Sequence, residues 1–118
     1  MGLRDNFKKG TVEMMILSLL TESDMYGYQL SQLISERSNH TIEVPEGSMY
    51  PTLYRLLDNG YISDQRVQVG KRMTRVYYHL EPRGRERFVE MLSEYQIFTT
   101  GLANILSFCN LSSEEAPS

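Results

Sequence analysis

The sequence predicts an α+β fold, mainly α, in a chain of 118 residues. Three observations predict it. Apolar residues recur at helical spacing in three short segments before Gly60. The period then changes to alternation over residues 61–80, the signature of a strand pair. After Pro82 a stripe with steps of three and four residues runs as far as Cys109, the mark of one long helix.

The first helix is expected from Thr11 to Thr21. Val12, Met15, Ile16, Leu19 and Leu20 fall on one face, and Met14 and Leu17 widen it. Before it, residues 1–10 are polar and read either as a frayed arm or as a helical turn. The second helix is expected from Tyr26 to Arg37, with Leu30, Leu33 and Ile34 as its stripe. Gly27 near its start is costly in a helix, and close packing against another backbone is one reason to tolerate it. Ser38-Asn39-His40 breaks the pattern. Residues 41–44 read as a short strand closed by Pro45.

The third helix lies within Glu46 to Gly60. Leu53, Leu56 and Leu57 face inward, while Ser48, Tyr50, Thr52, Tyr54 and Arg55 lie mainly outside that stripe. Pro51 has no N–H for the carbonyl of Gly47, so it is expected in the first turn, with Ser48 as the N-cap. Asn59-Gly60 ends the helix. Strands follow at 61–67 and 73–80, joined by a polar tip, Gln68 to Arg72, that carries Gly70, Lys71 and Arg72. Pro82 opens the last helix. Its seam is Phe88, Met91, Tyr95, Phe98, Leu102, Ile105 and Cys109, a heptad rhythm longer than a small domain can cover. The seam either pairs with a second copy or folds back on its own domain. Its length favours a homodimer. Residues 112–118 read as a disordered tail.

Three helices, a hairpin and a long helix form the element order of a winged helix-turn-helix with a C-terminal dimerisation helix. The expected division is residues 1–81 for the winged helix-turn-helix, 82–111 for the dimerisation helix and 112–118 for the tail. The third helix would then enter the DNA major groove, and the hairpin would be the wing. The net charge of −3 argues superficially against nucleic acid. Its distribution argues the other way. Gln65 to Arg87 holds seven basic and two acidic residues, so that segment is +5 and the remainder −8. Local field, rather than net charge, controls contact with phosphates, although charge alone fits a solvated basic face equally well.

Other classes are weakly supported. The chain has two histidines and one cysteine. His79 reads as a solvated strand residue and Cys109 as a small core residue. No nucleophile elbow, phosphate loop or metal-spaced cluster stands out, so no catalytic residue, metal or cofactor is assigned. No apolar run approaches the roughly 18 residues of a membrane span. One cysteine excludes an intrachain disulfide, which points to a reducing, cytoplasmic setting.

Particular residues also carry a resemblance. Tyr26-Gly27-Tyr28, Met49-Tyr50-Pro51-Thr52-Leu53, Arg55-Leu56-Leu57, Gly60-Tyr61-Ile62, Gly70-Lys71-Arg72 and Tyr77-Tyr78-x-Leu80 with Gly84 resemble the PadR family of transcriptional regulators. The resemblance covers roughly residues 8–108, and the single last helix is similar to the small subfamily of multidrug-sensing repressors. Glu81 departs from it, since the family commonly has Thr there. The resemblance implies a ligand-responsive homodimeric repressor on a near-palindromic double-stranded operator. It also implies that Tyr28, Ser48, Tyr50, Thr52, Arg55, Lys71 and Arg72 face DNA. Tyr50 alternatively braces the helix pair. Tyr95, with Phe7 and Met14 as walls, is the implied site for a small planar apolar effector. The relatives have tryptophan at the position of Tyr95, so plain interface packing is the alternative. A winged-helix dimer serving as a protein-interaction module is the rival reading.

Overall fold

The helical stripes become helices in the structure, a computed structural model that describes residues 3–8 and 10–111. In chain order these are α1 (Leu3–Lys8), α2 (Val12–Leu20), β1 (Met25–Tyr26), α3 (Gly27–Arg37), α4 (Glu46–Asp58), β2 (Ile62–Val69), β3 (Met73–Leu80) and α5 (Pro82–Leu106). The expected tail, 112–118, lies outside the described residues. No described helix is long and apolar enough to cross a membrane.

The core joins α2, α3 and α4. Ile16, Leu17, Leu30, Met49, Leu53 and Leu56 are its fully buried side chains. Met49, Leu53 and Leu56 recur at helical spacing along α4 and fix the face it turns inward. This packing decides where α4 begins. The helix starts at Glu46, so Ser48 is not its N-cap and Pro51 lies inside the helix. A proline in a helix interior costs about 3 kcal/mol. Burying Met49, Leu53 and Leu56 contributes about 1.5–3 kcal/mol each, so packing outweighs the lost hydrogen bond. Pro45 takes the cap position with extended backbone, and both the N–H and the hydroxyl of Ser48 bond its carbonyl, at 3.0 and 2.9 Å. Glu46 in the first turn complements the helix dipole.

α3 and α4 each end on a left-handed residue. Gly60 has φ 74°, and Tyr61 N–H bonds Leu56 O at 3.0 Å while Gly60 N–H bonds Leu57 O at 3.1 Å. Asn39, at φ 54°, does the same for α3. Gly27 is buried, but its close neighbour is the side chain of Glu46 and not a backbone.

The sheet has three strands in the order β1-β3-β2, all antiparallel. β1 was not anticipated. It pairs Met25 with Tyr78 and Tyr26 with Tyr77, and a 2.7 Å contact from His79 Nδ1 to Asp24 braces it. Residues 41–44 form no strand. Their backbone groups are taken by side chains: Ile42 N–H bonds Ser38 Oγ, Glu43 O accepts from Lys8 Nζ, and Val44 O accepts from Ser31 Oγ. The alternation there reflects buried Val44 and half-buried Ile42.

The last helix starts at Pro82 as expected, and Gly84 lets it cross the base of the hairpin. A Cβ at Gly84 would lie 2.0 Å from the carbonyl oxygen of Tyr61. The same carbonyl accepts the N–H of Glu81 at 3.0 Å. Further along, Phe88 and Met91 pack against the chain's own core, whereas Tyr95, Phe98, Leu102 and Ile105 are exposed. Cys109 drops out of the seam because α5 ends at Leu106. Ser107 turns its hydroxyl back to Asn104 O at 2.6 Å and helps close the helix there.

A buried carboxylate ties α2 to both α4 and α5. Glu13 is 7% exposed. Its Oε1 accepts from Arg55 Nη2 at 3.0 Å and its Oε2 from Arg87 Nε at 2.9 Å. Burial alone pushes its carboxyl up. The bonds from Arg87 and Arg55 outweigh that and hold it below the ordinary 4.5.

Two predictions follow from this packing. Gly84→Ala is expected to lower unfolding stability by about 3 kcal/mol, the upper end for overpacking, because a backbone carbonyl cannot step aside. Urea unfolding measures it, and a loss within about 0.5 kcal/mol, the range of ordinary surface changes, contradicts the close approach. The second concerns acid. A depressed pKa in the folded chain gives Glu13 a stability contribution that is present above about 4.5 and is lost as pH falls through the folded value. The stability gap between wild type and Glu13→Gln is therefore expected to narrow on the acid side of a pH 3–7 series. A gap that stays constant shows that the Glu13 charge contributes nothing.

Candidate nucleic-acid interface

Pairing register builds the wing. Ile62, Asp64 and Arg66 lie opposite Leu80, Tyr78 and Val76 and share a face with them. That face begins in the core at Ile62 and Leu80 and becomes open toward Arg66. Beyond it the hairpin tip turns at Gly70, with φ 74°, and leaves Lys71 and Arg72 exposed. Between α4 and the hairpin lies a cleft of about 330 Å³ lined by Tyr50, Tyr54, Asp64, Arg66, Arg75 and Tyr78 among others. Burial pushes the Tyr78 phenol up to about 12.

The four expected DNA-facing residues of α4 divide between its two flanks. At about 100° per residue, Ser48, Thr52 and Arg55 fall on one flank of α4, and Tyr50 and Tyr54 on the other, toward the hairpin. Ser48 is exposed and Thr52 half-buried. Arg55 keeps 56% of its side chain exposed while one nitrogen is held by Glu13. Tyr50 is half-buried. Its ring stacks on Tyr54 at 6.0 Å and its hydroxyl donates to Glu46 Oε2 at 3.3 Å, which is the bracing geometry. Burial, then the neighbouring carboxylate, push its phenol up. Tyr28, at the start of α3, is exposed, and its hydroxyl accepts from Gln32 Nε2 at 3.0 Å.

Sequence reasoning left Tyr54, Arg66 and Arg75 out of the DNA-facing set. Tyr54 is 58% exposed on the wing side of α4. Its spacing of four from Tyr50 was a signal that went unused. Arg66 and Arg75 counted only as charge, since their neighbours depend on strand register. Arg75 lies over the Tyr26 ring, 4.3 Å from its centroid.

The residues expected to meet an effector do come together. Phe7, Met14 and Tyr95 line one groove of about 790 Å³ between α1, α2 and α5, along with Met15, Phe88 and Phe98. No group of three or more His, Cys, Asp or Glu suited to a metal occurs among the described residues.

Comparison with known proteins agrees with this architecture. Transcriptional regulator Rv3488 of Mycobacterium tuberculosis is 35% identical over 85 residues, 71% of this chain and 75% of that protein. The structure of a transcriptional regulator from Clostridium thermocellum superposes with a TM-score of 0.76 at 29% identity, over 84% of this chain and 93% of that one. Bacillus subtilis PadR, solved in complex with operator DNA, superposes with a TM-score of 0.65 at 23% identity, over 70% of this chain and 47% of that one, and shares the fold. Residues 16–90 match the transcriptional regulator PadR-like family, and the chain belongs to that family.

Proposed function

We propose that the chain works as a homodimeric repressor that binds a near-palindromic operator and responds to an apolar effector. Residues 1–81 serve as the DNA-binding unit, and α5 within 82–111 as the dimerisation helix. The observation that carries the DNA reading is the outer surface of α4. Met49, Leu53 and Leu56 hold the helix from within, so Ser48, Thr52, Arg55 and Tyr54 remain at its surface. Lys71 and Arg72 stand at the hairpin tip to meet phosphate or minor groove. Two such units, held by paired α5 helices, would read half-sites about one helical turn apart. The operator bound by Bacillus subtilis PadR supports the same reading for this fold. The apolar groove at Phe7, Met14 and Tyr95 suits a flat hydrophobic molecule, since aromatic faces and flexible thioethers both adapt to one.

Gel shifts on the DNA upstream of the chain's own gene, repeated at rising salt, test the DNA reading. Specific binding that weakens steeply with salt is expected. Lys71→Ala with Arg72→Ala is expected to weaken binding and to flatten the slope of log K against log salt by about 1.8, for two lost phosphate contacts. Binding no better than to random DNA at low salt favours the protein-interaction module. Sedimentation tests the dimer. Phe98→Asp with Leu102→Asp is expected to give monomers, because paired helices would bury the new charges. An unchanged dimer places the contact elsewhere.

A further inference from the structure

Glu13 is the buried charged side chain among the described residues, and it stands where three elements meet. It belongs to α2, holds Arg55 of α4 and Arg87 of α5, and is followed in α2 by Met14 and Met15, which line the apolar groove with Tyr95 and Phe98. A guanidinium is a rigid fork with five N–H donors. Glu13 takes one nitrogen of Arg55, and more than half of that side chain stays exposed. An arginine anchored at one nitrogen by a buried carboxylate has its remaining donors aimed in a fixed direction. Ser48 and Thr52 share that flank of the helix.

We propose that Glu13 is a positioning residue for operator binding: it aims Arg55 at the DNA backbone and links that aim to α5 through Arg87. The inference rests on the DNA-binding reading above. It goes further by making the orientation of a phosphate contact depend on how α2 and α5 sit together. A groove occupant that shifts α5 against α2 would reach the DNA face by this route.

The test is a double-mutant cycle on affinity for the operator, with the salt slope measured at each corner. Arg55→Met keeps the aliphatic stem and removes the donors. It is expected to weaken binding about tenfold, the scale of one charge-assisted hydrogen bond, and to flatten the slope by about 0.9. Glu13→Gln is expected to do both as well, although Arg55 is still present. The double variant is expected to bind no more weakly than Arg55→Met alone. A purely structural tie would lower unfolding stability and leave the slope at its wild-type value. That result, or additive losses in the cycle, overturns the proposal. Arg87→Met is expected to weaken binding in the same direction, and no change there overturns the link to α5. If circular dichroism shows Glu13→Gln unfolded at the assay temperature, Glu13→Asp replaces it. That variant keeps the charge but withdraws the carboxylate by one methylene, and the same flattening is expected. Wild type that binds no operator overturns the DNA reading itself. Wild type that binds, with the wild-type slope kept in the Glu13 variant, overturns this inference alone.

Discussion

Tyr61 is the residue on which the other placements depend. Its N–H closes the end of α4 on Leu56 O, and its carbonyl accepts the N–H of Glu81 just before α5. Its ring lies under two guanidiniums, with Arg83 and Arg87 at 5.6 and 5.7 Å from the centroid. The next residue, Ile62, starts the wing and is buried. One residue therefore ties together the end of the outward-facing helix, the root of the hairpin and the start of the long helix. The bare Cα of Gly84 allows all three to meet there. Each hydrogen bond alone is worth about 1 kcal/mol. Their shared geometry matters more, because none of the three elements can move without breaking a bond to Tyr61.

Charge is arranged with the same economy. Of the seven basic residues between Gln65 and Arg87, three have intramolecular tasks. Arg75 covers Tyr26, Arg83 covers Tyr61, and Arg87 covers Tyr61 and bonds Glu13. The +5 of that segment is thus not all presented outward, and the basic stripe is partly internal scaffolding. Lys71 and Arg72 differ from these three. They sit at a turn fixed by Gly70, where nothing but backbone conformation is required of the local sequence. Two cations at such a tip suit phosphate contact better than they suit stability, because exposed charges contribute little to folding.

The helices were legible because each repeats its apolar residues often enough to define a period. The hairpin was legible through alternation and a glycine turn. What failed was information carried by partners distant in sequence. β1 spans Met25 and Tyr26 alone, too short to show a period, and exists because β3 offers an open edge. The segment 41–44 alternates like a strand, yet Ser31, Ser38 and Lys8 satisfy its backbone instead. Local cost alone puts Pro51 in the first turn of its helix, and three buried side chains override it. Arg55 lies outside the leucine stripe, and it is the family resemblance that implies a DNA-facing role for it. Its bond to Glu13, 42 positions earlier, leaves no trace in local pattern. At the candidate site, what local pattern does not carry is the strand register that sets Arg66 and Arg75 beside Tyr50 and Tyr54 of α4.

The unpaired apolar surface supplies the last step. α1 has six residues, fewer than an isolated helix needs to persist in water. Lys8 secures its end to Glu43 O, yet Leu3 and Phe7 stand 77% and 79% exposed. Across the groove, α5 exposes Phe98 and Ile105 by 69% and 70%. Apolar area of this extent on two facing elements is what a second copy would cover under the dimer reading. The groove that holds Phe7, Met14 and Tyr95 lies within that area. A partner helix and an apolar effector would then contact the same side chains. Under that reading an occupant would alter how two copies of α5 pack, and with it the distance between two copies of α4.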